Sequence, residues 1–321
     1  MKGALIALLA LAALFGLLAW FCYCLAFRRY QSKKTLTVFE ESRYGGLAAA
    51  MRAGQEFYKS LRFEEVEISS FDGLRLRGRT CGAEAGKPLM LLFHGWRSSD
   101  ARDFGCVLEF YLAQGFGLLL VDQRAHSKSE GKVISLGVNE RYDCLSWARW
   151  AEERFHPPAM YLDGISMGAA TVLMASGLEL PGSMRGIIAD CGYTSPCAIL
   201  RKVIRQYHLP VGIMYFFVRL GARLFGRFDP EAASAVEALE HCRVPMLFAH
   251  GEADGFVPCE MTRENYAHCA SPKRLITVPG ADHGFSYLID RPGVEAALKL
   301  FFADTMKASP ITTVAGDESK A

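Results

Sequence analysis

Met160-Tyr161-Leu162-Asp163-Gly164-Ile165-Ser166-Met167-Gly168-Ala169-Ala170-Thr171-Val172-Leu173-Met174-Ala175-Ser176 is a short apolar run, a five-residue G-x-S-x-G signature and a helix-length apolar segment in succession. The first part reads as a buried strand and the last as a buried helix. Between them the chain must turn within a few residues. Such a turn brings neighbouring backbone close, so small residues are required on both sides of the serine, here Gly164 and Gly168. The turn lifts Ser166 to the C-terminal edge of a sheet. It also sets the Met167 N–H at a helix N-terminus, where a developing negative oxygen is stabilised.

Outward from this stretch, apolar runs recur at 64–71, 74–81, 89–93, 117–121, 160–163, 186–189, 246–249 and 275–278. Asp72-Gly73 separates the first two, a hairpin signal. The later runs are apolar throughout, as strands buried on both faces are. Helical patterns lie between them at 103–114, 139–154, 167–176, 259–270 and 293–302. The alternation predicts an α/β sheet.

A serine hydroxyl needs a base to take its proton. In this architecture the acid and then the base follow the serine along the chain, at later strand ends. His283 follows the last predicted strand, in Gly280-Ala281-Asp282-His283-Gly284-Phe285, and is the expected base. Asp254, in the run from His250 to Pro258, is the expected orienting acid, with Glu252 and the adjacent Asp282 as weaker rivals. A second oxyanion donor is expected from the loop after 89–93, at the Trp96 N–H, with His94 read as structural. The polar loop from Asp122 to Gly131 is expected to brace the site.

These segments together resemble the α/β-hydrolase superfamily over residues 61–307. The resemblance rests on HGW at 94–96, DQRAHSKSEG at 122–131, GISMG at 164–168, HGEADGFVP at 250–258 and GADHGF at 280–285. It implies an α/β-hydrolase fold, a mostly parallel eight-stranded sheet flanked by helices. It also implies Ser166 as nucleophile, Asp254 as acid, His283 as base, and Trp96 and Met167 as oxyanion donors. The chain is similar, further, to membrane-anchored single-pass hydrolase-domain proteins of esterase or thioesterase type. The reaction expected is cleavage of a small-molecule ester or thioester through an acyl-enzyme. A peptidase or acyltransferase on the same residues, or a non-catalytic tethered binding protein, are the alternatives. No metal or cofactor is expected, since there is no H-E-x-x-H and the His and Cys residues lack ligand spacing.

The 321 residues carry 36 Lys+Arg against 34 Asp+Glu, a net charge of +2, which gives no basic excess for nucleic acid. With 51% hydrophobic residues a disordered chain is excluded. Mean hydropathy, +0.12, is high for a soluble enzyme. The excess sits in residues 3–27, which hold no charge and are long enough for a bilayer core of roughly 30 Å. Bulky Trp20, Phe21, Tyr23 and Phe27 crowd the place where a signal peptide would be cut, so an uncleaved anchor is expected. Arg28, Arg29, Lys33 and Lys34 follow it, which places the catalytic part in the cytoplasm by the positive-inside rule. With Lys2 they supply five of the 36 basic residues, leaving 31 against 34 acidic residues, a balance of −3. The ten cysteines form no C-x-x-C pair and read as reduced thiols.

The expected organisation is an anchor at 1–29, a helical linker at 30–60, the hydrolase domain at 61–307 and a disordered tail at 308–321. An inserted helical cap is expected at 195–229. Its segment 201–228 lacks Asp and Glu and interleaves six basic residues with aromatics and aliphatics. The cap is expected to cover the active site with its apolar face and keep its arginines in solvent. A sharper possibility is that it leans on the membrane.

Overall fold

The computed structural model describes residues 1–29 and 45–306. The first part of the expected linker, 30–44, and the expected tail, 308–321, lie outside the described residues. Eight strands form one sheet: β1 (Glu64–Ser69), β2 (Arg75–Cys81), β3 (Leu89–Phe93), β4 (Gly117–Asp122), β5 (Met160–Ile165), β6 (Met184–Asp190), β7 (Met246–Gly251) and β8 (Lys273–Val278). Their order is β1-β2-β4-β3-β5-β6-β7-β8. β1, β2 and β4 pair antiparallel, and every pair from β4 to β8 is parallel. Strands β3 to β7 are almost fully buried, which explains their continuous apolar sequences.

The helices, in chain order, are α1 (Lys2–Ala26), α2 (Leu47–Ser60), α3 (Asp100–Phe104), α4 (Leu108–Ala113), α5 (Glu140–Phe155) and α6 (Met167–Ala175). They continue with α7 (Pro196–Gln206), α8 (Val211–Gly221), α9 (Ala235–Glu240), α10 (Cys259–His268), α11 (Ser286–Ile289) and α12 (Arg291–Thr305). The helix expected over 103–114 is broken into α3 and α4. At the break α2 docks so closely that a Cβ on Gly54 would stand 2.6 Å from Cys106 Sγ.

Strand order reverses between β3 and β5. The loop after β3 and the loop after β5 therefore open into one crevice at the C-terminal edge of the sheet, where α/β sheets place their sites. Two apolar cores flank the sheet. One holds Leu91, Trp147, Met167 and Phe248; the other holds Leu92, Phe104, Tyr161 and Phe302.

The exit of α1 belongs to the first core. Ala19, Cys22, Tyr23 and Phe27 are buried, Phe27 completely. α1 lies along α8, and a Cβ on Gly221 would come within 2.3 Å of the Ala19 carbonyl oxygen. The rings of Phe15 and Phe217, Trp20 and Phe225, and Phe27 and Phe228 pair at 5.1, 5.0 and 5.1 Å. Beyond α1, Arg28 bridges Val133, and the Ile134 N–H donates to Phe27 O at 2.7 Å. The second half of α1 and its exit thus pack on α8, on the segment after it and on the loop at 132–134. The earlier half of α1 is exposed, Leu5 to Leu11 among it, and the helix is long and apolar enough to cross a membrane.

Phe27→Ala should therefore cost about 3–5 kcal/mol, the usual penalty for emptying a buried aromatic site. Leu17→Ala, on the exposed face of the same helix, should leave the unfolding midpoint unchanged. Thermal unfolding of the purified full chain measures both.

Candidate active site

Ser166 sits at the junction of β5 and α6 with φ 58° and ψ −114°, a left-handed conformation that a serine adopts only under constraint. The constraint is steric. A Cβ on Gly168 would lie 1.8 Å from Phe93 O, and one on Gly164 would lie 2.3 Å from Gly168 O. No side chain fits at either position, so both glycines are required by space.

His283 Nε2 lies 2.8 Å from Ser166 Oγ, and His283 Nδ1 lies 2.7 Å from Asp254 Oδ2. With Nδ1–H donating to the carboxylate, Nε2 is left to accept the serine proton. Asp254 Oδ1 accepts from the Phe256 and Val257 N–H groups at 2.8 Å each. Burial works to raise the Asp254 pKa, but hydrogen bonds from His250 and His283 outweigh it and hold the carboxyl well below the usual range. The expected rivals point elsewhere: Glu252 accepts from Thr277 Oγ1 at 2.7 Å, and Asp282 Oδ1 accepts from the Gly255 and His283 N–H groups.

Gly95-Trp96 follows β3 and faces the serine; a Cβ on Gly95 would stand 3.4 Å from Ser166 Cβ. The Gly95 N–H is taken by Asp103 Oδ2 at 2.7 Å. The Trp96 and Met167 N–H groups have no acceptor among the described residues. His94 is fully buried behind the loop, with Nδ1 2.9 Å from Gly95 O and Nε2 accepting from the Gln123 N–H at 3.3 Å.

His250 is a fully buried neighbour of Asp254. Its Nε2 lies 3.2 Å from Asp254 Oδ2 and 2.9 Å from Val257 O, and its Nδ1 lies 2.6 Å from Thr262 Oγ1. Burial opposes its charge, yet Asp254, Val257 O and Asp190 together raise its pKa. The only sequence signal was a His four residues before the Asp at a strand end. Cys191 Sγ lies within 4.8 Å of ligand atoms of Asp254 and His283. Its burial raises the thiol pKa well above normal, which disfavours the thiolate a metal would need.

A cavity of about 220 Å³ opens beside Ser166 and His283. Phe104, Leu247, Ile276, Val294 and Leu298 line it, and Met51 and Gln55 of α2 form one wall. None of its lining residues comes from 195–229. The cap was expected to cover the site, but α8 packs on α1 instead. The cap arginines also differ from expectation, because Arg219 and Arg223 pair with Asp229 just beyond the acid-free segment. Two buried carboxyls face the cavity. Asp163 accepts from Tyr111 Oη–H at 2.7 Å, and burial pushes its pKa up to about 7, with Asp190 nearby adding to the rise. Asp190 accepts from Ser286 Oγ–H at 3.0 Å, and its pKa is raised by burial.

No protein-family model matches the chain. YqkD of Bacillus subtilis is 26% identical over 245 residues, covering 74% of this chain and 79% of YqkD. A bifunctional esterase/perhydrolase of Acinetobacter calcoaceticus is 24% identical over 240 residues, 61% of this chain and 85% of its own. An esterase of Pyrococcus furiosus superposes with a TM-score of 0.63 at 19% identity, over 88% of this chain and all of its own. The chain shares the fold of this esterase. In an open α/β sheet the crevice at the strand-order reversal is where ligands bind, and Ser166, His283 and Asp254 meet there.

The buried Asp163 carboxyl predicts a pH signature. Between the ordinary carboxylate range and pH 7 the folded protein keeps a proton that the unfolded chain has released, so this group lowers stability as pH rises through that window. Asp163→Asn should raise the unfolding midpoint at pH 8 and lose the advantage near pH 4. A midpoint difference independent of pH would contradict the assignment.

Proposed function

We propose that this hydrolase cleaves a carboxylic ester or thioester through an acyl-enzyme on Ser166. The observation that carries the reading is the unbroken row Ser166 Oγ, His283 Nε2, His283 Nδ1, Asp254 Oδ2, with 2.8 and 2.7 Å at its two hydrogen bonds. In this reading Ser166 Oγ attacks the carbonyl carbon while His283 Nε2 takes its proton. Asp254 keeps the imidazole oriented and stabilises its positive charge. The carbonyl oxygen becomes an oxyanion that the Trp96 and Met167 N–H groups receive, and their lack of an acceptor among the described residues suits that role. His283 returns the proton to the leaving alcohol or thiol. Water then gives its proton to His283, attacks the acyl carbon and frees the acid, and the proton goes back to Ser166.

The cavity supports a choice of acyl group. At about 220 Å³ it falls below the roughly 300–1,000 Å³ that holds drug-sized ligands, and its walls are mainly apolar. A short acyl chain fits these dimensions. The esterase name carried by the Acinetobacter relative agrees with ester cleavage.

We propose further that α1 anchors the chain in a membrane. A span of about 20 residues crosses roughly 30 Å of hydrocarbon, and from Lys2 that reaches Phe21. Phe15, within that span, meets Phe216 and Phe217 of α8, so that part of the cap would enter the membrane beside α1. Ile213 and Phe216, both more than half exposed, would lie at that level.

A fluorophosphonate probe should label the wild-type protein and spare Ser166→Ala, and the same variant should lose about 10³-fold or more of kcat on p-nitrophenyl butyrate. Equal labelling of both proteins would sink the reading. Full-length protein in native membranes should stay in the pellet after alkaline carbonate extraction, whereas release into the supernatant would remove the anchor reading.

A further inference from the structure

The loop that carries the Trp96 N–H is held by a segment about 70 residues earlier. Trp96 Nε1–H donates to Ala26 O at 3.1 Å. The Arg97 guanidinium donates to Cys24 O at 3.3 Å and to Arg28 O at 3.1 Å, and it stacks over the Trp96 ring at 4.2 Å. The Cys24 and Ala26 carbonyls are among those that the end of α1 leaves unsatisfied. On the inner side, the Arg97 N–H donates to His126 Nε2 at 3.0 Å, while His126 Nδ1 lies 2.9 Å from Arg124 O. Burial lowers the His126 pKa to about 3, so the ring is neutral and its Nε2 is free to accept.

The loop containing His126 is fastened to the same segment. Arg29 donates to the carbonyls of Ser127 at 2.5 Å, Ser129 at 2.9 Å and Gly131 at 3.4 Å, and its own N–H bonds Lys132 O at 2.9 Å. Arg97 itself has φ 51°, an uncommon conformation for a non-glycine residue that persists only where surroundings fix it. The fixing groups are His126 on one side and the exit of α1 on the other.

We propose that residues 24–29, the exit of α1, are a positioning element of the active site. They hold the Trp96 N–H at the distance from Ser166 that the oxyanion requires, with Trp96 and Arg97 side chains as the fasteners. The helix read as a membrane anchor is then also part of the catalytic unit. This rests on the reading of Trp96 as an oxyanion donor. Removing an oxyanion donor costs about 10²–10³-fold in kcat; a donor left in place on a loosened loop should cost about tenfold.

The test uses the full chain in phosphatidylcholine nanodiscs, with p-nitrophenyl butyrate and its thiono analogue as substrates. Trp96→Phe and Arg97→Met are measured separately, so loss of fold in one leaves the other to decide. Each should lower kcat several-fold to about tenfold with KM within about twofold. The preference for the oxygen ester over the thiono ester should shrink in parallel, because a sulfur anion gains less from the donors. Arg97→Lys should recover part of the loss, and the pH midpoint of kcat/KM should stay in place because His283 is untouched. Wild-type kcat in both variants, or a fall in kcat with the oxygen-to-sulfur preference intact, would overturn the proposal. Ser166→Ala separates the two readings. Turnover by that variant would remove the serine mechanism, whereas an inactive Ser166→Ala beside fully active Trp96→Phe and Arg97→Met would remove only the positioning role.

Discussion

The backbone of Gly168 passes so near Phe93 O that even a methyl group would overlap it. This approach forces β5 into α6 through one left-handed residue, and that residue is Ser166. The consequences spread in both directions. Because α6 starts directly behind the serine, the Met167 N–H is left without an intrahelical acceptor. Because Phe93 ends β3, the following Gly95-Trp96 loop is brought against Ser166. A larger residue at Gly164 or Gly168 would separate strand from helix and scatter these groups together.

Much of this was legible because it is local. A strand buried on both faces must be apolar throughout, so β3, β4, β5 and β7 stand out as short runs between helix-length segments. The glycines around Ser166 report a steric need that depends on few neighbours. Asp254 and His283 lie after β7 and β8, and strand ends on one edge of a parallel sheet converge by geometry alone.

What the sequence concealed depends on partners far along the chain. Hydropathy marks residues 3–27 as a helix that avoids water, but lipid and a protein core satisfy the same apolar face. It therefore could not reveal that Phe27 is in the core while Leu17 is exposed. The cap posed the same ambiguity: its apolar stripe was assigned to the active site, yet it meets α1. The wall of the cavity is instead supplied by α2, whose Met51 and Gln55 carry no motif. Asp163 and Asp190 were hidden for the opposite reason. They sit inside apolar strands where an acid reads as an ordinary strand end, and only the packed structure shows two buried carboxyls lining one cavity.

Two left-handed residues flank the same crevice, Ser166 at φ 58° and Arg97 at φ 51°, and they are stabilised by different means. At such residues the cost is of order 1–3 kcal/mol, which the surroundings must offset. For Ser166 the glycines on either side allow the close approach of β5, α6 and Phe93 O that fixes the turn. For Arg97 the offset comes from hydrogen bonds to His126 and to carbonyls at positions 24 and 28, all distant in sequence. The Ser166 turn thus depends on its two glycines and on β3 beside them. The loop opposite depends on α1 being in place, so the geometry between them is only as well defined as the contact between the first helix and the rest of the fold.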